Sequence, residues 1–298
     1  MHAERIAAER RALGRLMDDV TEGLQACLDA SGVLQDPCHN GPSPSDHYAH
    51  LFTALALIHR PDAPWQVPLD QWLSFSPQRR GHEPFNRLAL RLLEASLSKA
   101  SAKIEALGRV REAIRQCPLG RRYASNNWSL LASVIAMRES PPGARKALAK
   151  ARFHRQLRAW TTSSGGFVDF PARVGASGGA TPPAYHMKYL LCLWLAVSEL
   201  HDDVALEYLQ RGLDWLALFL TPSGYCGGFG RTNHGLFGDA CLLTVLHGLM
   251  GHAEKLPQGT TVQLLEAANA MRQRLRAQQR PDGLLWLTPG GECGASGG

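Results

Sequence analysis

The sequence predicts an all-α protein built from repeated helical hairpins. Three observations carry that reading: a turn motif recurring at a fixed interval, a very apolar helix after each turn, and a charged amphipathic helix after that. The turn occurs as Ala30-Ser31-Gly32-Val33-Leu34, Ser163-Ser164-Gly165-Gly166-Phe167, Pro222-Ser223-Gly224-Tyr225 and Arg280-Pro281-Asp282-Gly283-Leu284-Leu285. Gly stands in each copy because a helix C-cap or tight turn needs positive φ. Gly165, Gly224 and Gly283 are spaced by 59 residues both times, and Gly32 lies a little over two such steps earlier. A middle copy is expected near Gly120.

A polar, Gly/Pro-rich loop follows each turn, and then an apolar helix. These helices begin near Asp46-His47-Tyr48, Ser125-Asn126-Asn127-Trp128, Ala184-Tyr185-His186 and Asn233-His234. Their bodies read LFTALALI, WSLLASVIAM, YLLCLWLAV and LFGDACLLTVL. A helix apolar on nearly every side is buried on most sides. The partners are amphipathic: 144–160, 203–219 and 261–279. A further pair is expected over 84–97 and 101–116. Pro84 and Pro183 fall where a helix accepts a first-turn proline.

One buried inner helix plus one outer helix per unit is the layout of an α/α toroid. Five inner helices are visible, so the expected architecture is an incomplete barrel of about five to six helical hairpins. It forms a single domain over 1–290, with 291–298 as a flexible tail. No inner helix follows the turn at Gly283.

The 298 residues carry a formal net charge of +6 and are 45% hydrophobic. Arginines are scattered, as in Arg79-Arg80 and Arg121-Arg122, without a long basic run interleaved with aromatics, so nucleic acid is not expected. A modest positive excess favours an anionic ligand through long-range attraction. The N-terminal stretch lacks an apolar signal core, and the longest apolar run, Tyr189 to Val197, is too short to span a bilayer. Seven cysteines without CxxC spacing read as reduced thiols, with Cys27, Cys117, Cys192 and Cys241 in the core. A cytoplasmic protein is expected. Asp46, His47, His50, His186, His234, Cys226 and Asp239 lack metal-ligand spacing, so neither metal nor other cofactor is expected.

The toroid layout brings the inner-helix starts to one face, and helix N-termini attract anions. The candidate site is therefore Tyr48, His47, Asn126, Asn127, Trp128, Tyr185, His186, Lys188, Arg231, Asn233, His234 and Asp239, with Asp46 and Asn86 at similar positions. Asn126 or Asn127 has a competing structural role as an N-cap. Tyr185, His186 and Arg231 have competing roles in the core or on the surface.

Tyr185-His186-Met187-Lys188-Tyr189-Leu190 resembles the Tyr-His-x-x-x-Leu helix start of alginate-lyase-like and heparinase II/III-like polysaccharide lyases. Asn126-Asn127-Trp128 is similar to their Asn-Asn-His segment, and Gly165-Gly166-Phe167-Val168-Asp169 to the loop before their Tyr-His helix. Gly230-Arg231-Thr232-Asn233 is similar to a Gly-Arg-Ser segment of related toroids. The resemblance covers roughly residues 120 to 240. It implies β-elimination beside the carboxylate of an acidic sugar. Asn127 and Arg231 would hold the acid group, and Tyr185, His186 and His234 would move protons. Trp128 stands where that family has its histidine.

Three other classes share the layout. A toroid glycoside hydrolase or epimerase needs paired carboxylates, for which Asp36, Asp46, Asp169 and Asp239 are candidates. A terpenoid-cyclase-like toroid is suggested by the stretch Gln279 to Trp286, although no DxDD motif is present. A non-catalytic helical-repeat scaffold binds partners on a concave surface.

Overall fold

The computed structural model describes residues 2–36, 41–42, 49–98, 104–120, 123–169, 182–226, 235–252 and 258–286. The fold is all-α. The helices are α1 (His2–Ala26), α2 (Ala49–Leu57), α3 (Gln66–Ser74), α4 (Glu83–Ser98), α5 (Ile104–Arg115), α6 (Asn126–Glu139), α7 (Ala144–Trp160), α8 (Pro183–Leu200), α9 (Asp203–Ala217), α10 (Leu236–Met250) and α11 (Gln258–Ala277). The one sheet among the described residues pairs β1 (Gln35–Asp36) with β2 (Gly41–Pro42), antiparallel. The helix α1, the outer helix α3 and this sheet were not anticipated from periodicity.

The chain divides into two compact units. One comprises 1–18, 124–281 and 285–298, and the other 19–123 and 282–284.

In the first unit α8 packs between α6 and α10, and each of these inner helices pairs with the outer helix that follows it, α7, α9 or α11. The inner helices carry residues such as Leu130, Leu190, Leu193 and Val245 with no exposed surface. Burying such a side chain contributes about 1.5–3 kcal/mol. The α9 start is capped by Asp202, whose Oδ1 accepts the Ala205 N–H at 2.9 Å. Burial works against the Asp202 charge. The Ala205 N–H, His154 and Lys150 outweigh it and hold the carboxyl below its ordinary range.

In the second unit α2 packs on α3 and α4, and α4 on α5. Leu51, Leu57, Leu69, Trp72, Leu90, Leu93 and Val110 form its fully buried core.

The recurring turn is a real structural unit. Gly32, Gly165, Gly224 and Gly283 have φ of 84°, 95°, 76° and 85°. In each copy the residue four before the glycine bridges the residue two after it: Leu28 with Leu34, Thr161 with Phe167, Leu220 with Cys226, and Gln279 with Leu285. Thr162 N–H donates to Gly166 O at 2.8 Å, and Thr221 N–H to Tyr225 O at 2.8 Å. Gly120 does not continue the series. Its φ is not positive, and its N–H donates to the Tyr123 hydroxyl at 2.5 Å.

Cys117, Cys192 and Cys241 are buried free thiols, whereas Cys27 lies just beyond α1 and is half-exposed. No described helix is long and apolar enough to cross a membrane.

Candidate functional site

The starts of α6, α8 and α10 repeat one arrangement. The fourth residue of each inner helix meets the following outer helix at positions spaced by 59 residues, namely 156, 215 and 274. In α6, Ser129 O accepts from Gln156 Nε2 at 3.5 Å. In α8, the His186 and Trp215 rings lie 4.4 Å apart. In α10, Asp239 Oδ2 pairs with Arg274 Nη2 at 2.7 Å. Ser129, His186 and Asp239 are all buried. They are pins between the two layers of the repeat.

His186 is fully buried between Tyr189 and Trp215. Its Nδ1 accepts the Phe167 N–H at 3.2 Å, and its Nε2 lies 2.9 Å from Gly212 O, which fixes the Nε2–H tautomer. Burial lowers its pKa to about 4, against the opposing pull of Gly212 O. Both nitrogens are occupied by backbone groups, so the proton-carrying role expected of His186 finds no open nitrogen.

At the α6 start, Asn126 N–H donates to Asp169 O at 2.7 Å, and the Asn126 amide donates to Val168 O at 2.7 Å. Asp169 Oδ1 accepts from Asn127 N–H at 3.0 Å, from Asn127 Nδ2 at 2.6 Å and from Ser125 Oγ at 2.8 Å. A carboxylate here neutralises the positive end of α6 and satisfies its otherwise unpaired amides. Neither asparagine is the N-cap. That position is Ser125, whose side chain makes no capping bond to the helix backbone, and Asp169 supplies the acceptor from a distance in sequence. The amide donor of Asn127, expected to hold an incoming acid group, is engaged by Asp169.

Lys188 breaks the pattern. It is the sixth residue of α8, and the sixth residues of α4, α6 and α10 are Leu88, Leu131 and Cys241. The Lys188 side chain is buried, with Nζ 5.0 Å from the Tyr185 ring centre and 5.1 Å from that of Phe237. Such ring faces attract a cation. Burial pulls the Lys188 ammonium below its ordinary range, while Cys241 and Asp169 pull the other way. Burial also pushes the neighbouring Cys241 thiol up to about 12, so it stays protonated at neutral pH.

Tyr185 and Trp128 are half-buried third residues of their helices. The structure therefore brings Asn127, Asp169, Lys188 and Tyr185 into one polar neighbourhood at the α6 and α8 starts. Asp239 belongs to the pin with Arg274. His47, Tyr48, Arg231, Asn233 and His234, and likewise Asp46, lie outside the described residues. In the other unit, His50 is fully buried with its ring edge-on to Phe75 at 4.9 Å, and Asn86 Nδ2 donates to Arg80 O and Gly81 O at 2.7 and 2.6 Å. Phe237, Trp215 and Arg274 were missed as partners of the site. The 59-residue spacing, extended from the glycines to the outer helices, was the signal for the last two.

Among the described residues no group of three His, Cys, Asp or Glu is placed to hold a metal. Comparison with protein-family models and with curated proteins finds no match.

Proposed function

We propose that the start of α8 is the anion-recognition centre of a lyase-like enzyme acting on an acidic sugar or a similar carboxylated molecule. The observation that supports this most is Lys188, a buried ammonium where equivalent positions carry leucine or cysteine. A buried charge is costly, and such groups cluster at functional sites. In this reading Lys188 faces the substrate carboxylate and stabilises the charge that develops on it. The Tyr185 oxygen takes the proton from the carbon beside that carboxylate. The electron pair forms a carbon–carbon double bond as the neighbouring carbon–oxygen bond breaks, and the leaving oxygen takes up the hydroxyl proton that Tyr185 gives up in exchange. Asp169 orders the α6 start. Arg231 and His234 keep the roles that the resemblance implies.

The test is incubation of the purified chain with oligosaccharides of mannuronate, guluronate, galacturonate and glucuronate, following ultraviolet absorbance of an unsaturated product. The expected result is absorbance growth with at least one of them, lost by about 100-fold or more in Tyr185→Phe. New reducing ends without absorbance would replace elimination by hydrolysis and direct attention to Asp169 and Asp239. Binding without any product would make the chain a non-catalytic scaffold.

A further inference from the structure

The first helix of the chain carries the marks of an outer helix. Buried Leu157, Leu216 and Leu275 of α7, α9 and α11 are spaced by 59 residues and stand eight residues before the turn glycine. Leu24 of α1 stands eight residues before Gly32. Beyond α1 the same bridge forms between Leu28 and Leu34, and Gln35 N–H donates to Cys27 O at 2.9 Å, as Val168 N–H does to Trp160 O at 2.8 Å.

The turns at Gly165 and Gly224 also dock on the next outer helix at a fixed register. A side chain on Gly165 would collide with Arg211 O of α9, and one on Gly224 with the Ala270–Met271 peptide of α11. Arg211 and Ala270 stand five residues before Leu216 and Leu275. The turn after α11 has the same relation to α1: a Cβ on Gly283 would come within 2.5 Å of Asp19 O, and Asp19 stands five residues before Leu24. The contact is equally close from the other side, because a Cβ on Gly23 would collide with Asp282 O.

We infer that α1 is the outer helix that follows α11 in the repeat, so that these two helices, far apart in sequence, lock one another. The lock has a polar clasp. Arg272 of α11 donates to both carboxylate oxygens of Glu9 at 2.7 and 3.0 Å, and Glu9 is only 5% exposed. Arg10 donates to His247 O of α10 at 3.4 Å.

This inference stands apart from the proposed activity and is tested without any substrate. Hydrogen exchange of residues 2–18 is measured in the full-length chain and in Glu9→Arg, Arg272→Glu and the double reversal. Each single reversal places two like charges in a buried contact and is expected to speed exchange of these residues by about tenfold or more. The double reversal is expected to restore most of the protection. A second protein joins residue 298 to residue 1 and opens the chain between Pro141 and Pro142, an exposed turn. Retention of its helical circular dichroism and cooperative melting is expected. Unprotected residues 2–18 in the wild type, no acceleration in the single reversals, or collapse of the joined chain would overturn the inference.

Discussion

The starts of α6, α8 and α10 share a buried polar fourth residue, and α8 stands apart at the sixth. All three carry a buried fourth residue that meets the next outer helix, whether as Ser129 with Gln156, His186 with Trp215 or Asp239 with Arg274. Only α8 adds a buried cation two residues on, where α6 has Leu131 and α10 has Cys241. The repeat thus acts as an internal control. A polar residue found at the same place in every copy serves the fold, and one that breaks the series calls for another explanation. By this standard His186 is structural, although the resemblance implies a chemical role for it.

The pins themselves should rank by the charge they bury. Asp239→Ala leaves the Arg274 guanidinium buried without its partner, and breaking such a pair costs about 3–5 kcal/mol. Urea unfolding measures it, and a loss below about 1 kcal/mol would remove Asp239 from the pins.

The His186 pin is read through pH. Its pKa is depressed to about 4 in the folded chain from 6.5. Below the ordinary value the unfolded chain takes up a proton that the folded chain refuses, so stability falls as pH drops from 6.5 towards 4. The full effect is about 3 kcal/mol, at a slope near 1.4 kcal/mol per pH unit at its steepest. The difference between wild type and His186→Gln, measured by urea midpoint across that range, isolates it. A pH-independent difference would break the comparison.

The Gln156 pin is the weakest, through one long hydrogen bond to Ser129 O. Gln156→Leu is expected to shift stability by about 1 kcal/mol or less, since both partners are neutral. A loss as large as that of Asp239→Ala would show that pin strength does not follow charge.

Much of the fold was legible in the sequence because glycine spacing and apolar helix bodies are local signals. The 144–160 helix was read to the residue, and Pro183 marked the first residue of α8. The helix α3 was not, because Gln66–Ser74 is short and its buried residues Pro68, Leu69 and Trp72 follow no long period. The site was legible only as a set of positions. Asn127 and His186 were correctly placed at helix starts, yet their roles depend on Asp169, Phe167 and Gly212, which lie 42, 19 and 26 residues away. No periodicity in one chain encodes such contacts. Lys188, by contrast, was visible as a charge in an apolar run, and aligning the inner helices on their fourth residues would have singled it out.

The most direct test of the account is Lys188→Leu, measured for both unfolding and binding. A residue kept for a bound anion and not for packing should be replaceable by the leucine of the equivalent positions. The unfolding free energy is expected to stay within about 1 kcal/mol of wild type or to rise, as when buried charges yield to apolar residues. Binding of the uronate oligosaccharide that gives product with the wild-type chain should be lost. A fall in stability comparable with that of Asp239→Ala, with binding retained, would make Lys188 one more structural pin and contradict the account.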